Sequence, residues 1–200
     1  GDVADYYLEV QRFDRVVGSA LRALEKSGEL KNTLVVMTGD HGMPFPRAKS
    51  NLYDAGSRVP LAIMWGDNVR PASRNAAFVS LTDLAPTFLQ AAGVAVPKDM
   101  TGRSLLGLLT GKDNGKDRGQ VVFGKERHVP SQEGPDLGGY PGRAIRTNRY
   151  LYIRNFTPDR WPNGTPNYEK AVKPGNWYAD TDNGPTKTYI VNNRDKDAAH

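Results

Sequence analysis

Three side chains near residue 45 are of types that can act together on one anion. Asp40 and His41 stand side by side in "VVMTGDHGMPFPRAK" (35–49), and Lys49 ends the same stretch. A carboxylate oxygen and an imidazole nitrogen from adjacent residues at a turn can converge on one divalent cation, or divide cation and substrate contacts between them. A lysine ammonium is a compact point charge that suits one oxygen of a tetrahedral oxyanion, and it can protonate a leaving group. Each residue also has a plainer use: Asp40 as the cap of its own turn, His41 as a loop residue, Lys49 as a solvated cation. With the apolar run before them they make one constellation.

The elements around them follow from periodicity. Apolar positions at Tyr6, Val10, Phe13, Val17, Leu21 and Leu24 advance by three or four, which predicts a helix with one face on a core. Gly28 can end it in the left-handed conformation. "NTLVVMTGD" is a short continuous apolar run, as expected of a strand buried on both faces of a parallel sheet. In such sheets ligands gather outside the carboxyl ends of the strands, where Asp40 and His41 lie. "VPLAIMW" (59–65) reads as a second strand. "SLTDLAPTFLQAAGV" (80–94) reads as a helix with Ser80 or Thr82 as its cap, Pro86 in its first turns and Gly93 at its end.

At "KDNGKDRG" (112–119) the texture turns polar and glycine-containing, which divides residues 1–112 from 113–200. Beyond it, "QVVFGKER" and "GRAIRTNRYLYIRNF" predict strands of a smaller, antiparallel sub-domain. The last forty residues carry many Pro, Gly, Asn and Asp without periodicity and read as mostly loop.

Composition excludes several classes. Hydrophobic residues make up 38% and charged residues 24% of 200, which is ordinary globular usage. The formal charge is +5, yet the 27 basic residues are spread out, without the dense block of a nucleic-acid footprint. Such a balance suits an anionic substrate, or simply a solvated surface. There is no cysteine, so disulfides, thiolate zinc sites and thiol nucleophiles are excluded within this chain. No segment has the roughly 18 apolar residues of a membrane span. "GDVADYYLEVQRFD" reads as helix already under way, which suggests a fragment whose N-terminus lies elsewhere.

"NTLVVMTGDHG" followed by "AKSNLYDAGSRVPL" resembles the sulfatase family of the alkaline-phosphatase superfamily. The first helix, "SLTDLAPTFLQAAGV" and "MTGRSLLGLLTG" follow that family's order too, so the likeness runs over roughly residues 4–112. "GMPFPRAKSNLYDAG" and "RAIRTNRYLYIRNF" are most similar to the heparan N-sulfatase (sulfamidase) branch. The resemblance implies part of an alkaline-phosphatase-like α/β sandwich with a mostly parallel sheet, then a small antiparallel sub-domain. It implies that Asp40 and His41 build one side of a calcium site, and that Lys49 contacts the sulfate and the bridging atom of the leaving group. Asp54, Gly56 and Arg58 fall in the turn after that lysine, with a structural role. His128, in "GKERHVP", would reach the substrate, although an exposed loop histidine reads equally well.

The departures are as informative. Family members carry a formylglycine nucleophile, made from Cys or Ser in (C/S)-x-P-S-R, and a further Asp-Asp metal pair in their N-terminal half. This chain has neither, so the resemblance implies the C-terminal half of an enzyme that hydrolyses a sulfate ester or sulfamate on a sugar such as a glycosaminoglycan. The chain alone is expected to be inactive and to bind calcium weakly, since calcium takes six to eight oxygens. Family habit implies a periplasmic or secreted enzyme. Other readings are a phosphodiesterase or phosphonate hydrolase of the same superfamily, a non-catalytic carbohydrate-binding chain, or an anionic-polysaccharide binder using the arginines of "GRAIRTNRYLYIRN".

Overall fold

The computed structural model describes residues 2–112, 118–172 and 177–193. Helix α1 runs from Asp2 to Ser27 and stops at Gly28, whose φ of 79° is the left-handed cap that its sequence allows. Tyr6, Val17, Leu21 and Leu24 are half-buried, but Val10 and Phe13 of the same stripe are exposed. The helix thus covers only part of the face that its periodicity defines.

Strands β1 (Val35–Thr38) and β2 (Leu61–Met64) form a two-stranded sheet, with Val35 opposite Met64 and Thr38 opposite Leu61. They are antiparallel, and the second sheet is antiparallel as well, so the mostly parallel sheet expected from the apolar runs is not found among the described residues. The connection explains the difference. Parallel neighbours need a long crossover, usually a full helix, whereas residues 39–60 contain only the single-turn helix α2 (Asp54–Ser57) and fold straight back. No residue of β1 is fully buried, so the run that reads as a two-faced core strand is only half covered.

Helix α3 (Leu84–Ala91) matches its sequence signals closely. The Ser80 hydroxyl accepts from the Thr82 amide, and the Asp83 carboxylate reaches back to the Ser80 amide, a reciprocal cap over the 3-10 turn Leu81–Asp83. Gly93 ends the helix with φ of 73°. Helix α4 (Leu106–Thr110) lies beside it. Asp83 and Thr87 are wholly inaccessible and tie this region together. Asp83 also accepts from the Arg103 amide at 2.8 Å and from the Arg118 guanidinium at 2.6 Å, while the Thr87 hydroxyl takes the Leu105 amide at 2.8 Å.

The antiparallel sheet expected after residue 113 is present: β3 (Gln120–Lys125), β4 (Gly142–Thr147) and β5 (Leu151–Asn155), in that order. Most of the polar boundary stretch, residues 113–117, lies outside the described residues. Contacts nonetheless cross it: Arg118 to Asp83, and Arg146 to Asp54 at 3.0 Å. Among the described residues of the last forty, aperiodic composition hides helix α5 (Pro185–Asn193). Asp2 at the start of α1 caps it, its carboxylate accepting from the Thr186 amide at 2.9 Å and the Thr186 hydroxyl at 2.8 Å.

Candidate functional site

The chain leaves β1 at Thr38, whose hydroxyl donates to the Pro60 carbonyl at 2.8 Å and fixes the strand end against the return of residues 39–60. The loop then packs directly on α2. The Gly42 amide donates to the Gly56 carbonyl at 2.9 Å, and a Cβ on Gly42 would sit 1.9 Å from the Ala55 carbonyl oxygen. A Cβ on Gly56 would meet the carbonyls of Ala48 and Asn51 at 2.2 and 2.3 Å. Only glycine permits backbones to cross this closely. Asp54, Gly56 and Arg58 therefore stand in a turn whose evident work is structural, with Asp54 held by Arg146.

Within that loop Asp40 and His41 face each other. The Asp40 side chain is 86% exposed, and its Oδ1 accepts the His41 amide at 3.1 Å, which is the turn contact of the plainer reading. Its Oδ2 lies 3.3 Å from His41 Nε2. His41 Nδ1 lies 2.8 Å from the Gly42 carbonyl oxygen. A carbonyl can only accept, so Nδ1 carries a proton, and in the neutral ring Nε2 is left with its lone pair beside the carboxylate. A backbone carbonyl fixing one ring nitrogen so that the other is aimed outward is the usual support of a metal-binding histidine. The pair thus fits one edge of a divalent cation's shell: the carboxylate suits a hard cation such as calcium, the imidazole a transition metal. Among the described residues there is no cluster of three or more His, Cys, Asp or Glu able to hold a metal.

Lys49 is carried by the tightest part of the loop. Its amide donates to the Met43 carbonyl at 2.9 Å, and Arg47, two residues before it, and Ser50, directly after it, are left-handed with φ of 64° and 65°. Such non-glycine residues cost on the order of 1 kcal/mol each and persist only where the surroundings enforce them. The loop is held from outside as well, since the Phe45 ring, between Pro44 and Pro46, packs edge-on against Tyr6 of α1 at 5.7 Å. The Lys49 ammonium does not stand free: it donates to both oxygens of Asp182, at 3.1 and 2.9 Å.

His128 is exposed in the bend after β3. Next to it, the Val129 amide donates to Asp180 at 3.2 Å, and Lys125 pairs with the same carboxylate at 3.1 Å. Asp180 belongs with Asp182 to one loop. The side chain behind that loop is Lys187 of α5, whose ammonium donates to the carbonyls of Tyr178 and Thr181 and to Asn183 Oδ1 at 2.9–3.1 Å. Desolvation pushes the Lys187 ammonium below the ordinary lysine value, and the Asp182 charge opposes that shift. Asp182 was not legible as a partner of Lys49, because nothing in "YADTDNGPTK" announces a contact 133 positions away, and the roles of Asp180 and Lys187 in holding its loop appear only in the folded chain.

The family model described as Sulfatase matches residues 1–94. The Ulvan-active sulfatase of Formosa agariphila is 31% identical over 159 residues, covering 80% of this chain and 25% of that protein. The human N-sulphoglucosamine sulphohydrolase is 32% identical over 165 residues, covering 78% of this chain and 31% of that protein. Among solved structures, one of a 2-O GAG sulfatase superposes with a TM-score of 0.56 at 29% identity, covering 72% of this chain and 31% of the other. The chain therefore spans about a quarter to a third of the length of these relatives.

Proposed function

The chain belongs to the sulfatase family, and from that premise we propose that it supplies one side of the active site of a hydrolase that cleaves a sulfate ester or sulfamate on a sugar such as a glycosaminoglycan. The observation that carries the proposal is the β1 end loop, where His41 Nε2 and Asp40 Oδ2 lie side by side and Lys49 follows in the same glycine-locked turn.

Asp40 and His41 would hold a divalent cation, calcium by family habit, together with ligands from the part of the enzyme outside this chain. That cation supplies neutralisation of anionic oxygen when bound. Lys49 donates an N–H to a sulfate oxygen or to the bridging atom of the leaving group, where negative charge grows as the bond breaks. His128 would contact the sugar from the exposed bend after β3. The nucleophile, a formylglycine in this family, is expected in the N-terminal half, and the isolated chain is expected to be inactive. Export to a periplasm or outside the cell goes with this reading, and recovery of the enzyme solely from cytosol on fractionation would oppose it.

The test is release of inorganic sulfate by the full-length enzyme from N-sulfated and O-sulfated glucosamine, with an aryl phosphonate ester as control. Chelation should abolish release, and calcium, zinc and manganese added back singly should identify the cation. Cleavage of the phosphonate with no sulfate release would instead favour the superfamily's phosphoryl-transfer branch.

A further inference from the structure

The loop from Tyr178 to Asn183 lies outside every motif that the sequence offers, yet it is anchored from several sides. Asp180, 2% exposed, binds Lys125 and the Val129 amide. The Tyr178 amide donates to the Thr165 carbonyl at 2.9 Å and the Asp180 amide to the Asn163 carbonyl at 3.2 Å. Lys187 uses its ammonium on three acceptors of the same loop. What this framework presents at its edge is the Asp182 carboxylate, and both of its oxygens face Lys49.

We propose that Asp182 is a positioning residue for Lys49, so that the loop 178–183 forms a wall of the reaction site. The role rests on the reading of Lys49 as the site's cation. A lysine on a flexible four-carbon stem wanders, and an exposed ion pair between two mobile side chains would not hold it. Here the loop that carries one partner is anchored by buried hydrogen bonds and the other partner sits in a left-handed turn, with the lysine side chain 19% and the aspartate side chain 38% exposed. Two of the three ammonium protons are taken by the carboxylate, which aims the third at one place. The pair is also close to neutral, so a sulfate oxygen meets a directed N–H rather than an open positive field.

The experiment has two arms. In the 15N-labelled 200-residue chain, the Lys49 ammonium signal should be protected from solvent exchange like those of Lys125 and Lys187, and unlike that of Lys31, whose side chain is 82% exposed. Asp182→Asn should remove the Lys49 signal and leave the other two. Persistence of the Lys49 signal in that variant overturns the pairing. In the full-length enzyme, Asp182→Asn should lower kcat by about tenfold or more with KM within about threefold, Asp182→Glu should recover part of the loss, and Lys187→Met, which removes three hydrogen bonds that hold the loop 178–183, should show the same kcat defect. An unchanged kcat in Asp182→Asn overturns the role, as does a loss confined to KM. A wild-type enzyme that releases no sulfate from any substrate defeats the sulfatase reading and the role in turnover with it, while the ammonium spectrum still decides the pairing.

Discussion

Lys49 shows at the residue scale how a side chain that reads as a lone surface cation acquires a fixed direction. Its partner Asp182 is 133 positions away, and both carboxylate oxygens lie within 3.1 Å of the ammonium. Replacing Lys49 by Ala in the full-length enzyme should lower kcat by about a hundredfold to a thousandfold, the usual cost of removing one donor to a developing oxyanion. Stability should fall by about 1 kcal/mol or less, since partly exposed ion pairs contribute little. Steady-state kinetics beside a urea titration checks both, and turnover within a few-fold of the parent would sink the role. The adjacency of Asp40 and His41 is visible in the sequence. The tie from Nδ1 to the Gly42 carbonyl, which turns Nε2 toward the carboxylate, depends on the loop's path.

At the scale of elements, α3 and its two candidate caps, Ser80 and Thr82, were legible because capping is local, and the structure chooses Ser80 and adds the Asp83 carboxylate, which takes the Ser80 amide across three residues. The same carboxylate has a second life that local rules do not reach, in the contacts from Arg103 and Arg118. Asp83→Ala should therefore cost about 3–5 kcal/mol, far more than a lost cap, because the Arg118 charge and two amides lose a buried partner together. A shift in urea midpoint worth less than about 1 kcal/mol would show the hub to be dispensable. Helix α5 went unrecognised because its apolar residues follow no stripe, and its start is held by a residue from the other end of the chain. The Thr186 amide, and then its hydroxyl, hold the Asp2 carboxyl below its ordinary value of 3.8. The folded pKa is thus the lower one, so the contact's contribution is full above the unfolded value and lost as pH falls through the folded value. The protection factor of the Thr186 amide, its exchange rate taken relative to the unfolded rate at the same pH, should fall on acidification below about pH 4, and Asp2→Asn should remove that pH dependence. Exchange in Asp2→Asn that keeps the parent's acid response would refute the assignment.

For the whole molecule, the apolar surface left open is as telling as the site. Val3, Tyr7 and Val10, at i, i+4 and i+7 on one side of α1, are 56%, 61% and 45% exposed, along a helix with no fully buried residue. An exposed apolar helix face calls for a cover, which accords with a chain spanning about a quarter to a third of its relatives. The isolated chain should release no sulfate from any sulfated sugar. Its calcium affinity should be weaker than about 1 mM, because two donors supply a minority of the shell that calcium takes. Calorimetric titration and a sulfate assay check these outcomes, and tight calcium binding or turnover by the chain alone would contradict the half-site reading.

The sequence by itself determined the helix–strand grammar of residues 1–112, the Asp40–His41 turn, Ser80 as one of two candidate caps and the family, since each depends on residues within a few positions of one another or on a linear motif. The mostly parallel sheet it implied is not found among the described residues, because a continuous apolar run records burial and not direction, and the direction of the β1–β2 pair follows from the one-turn connection between them. Only the tertiary structure decided what Lys49 faces. Charge pairing between positions 49 and 182 leaves no mark on local propensity, and it forms in a fold where buried Asp180 and Lys187 anchor the loop that carries the second carboxylate.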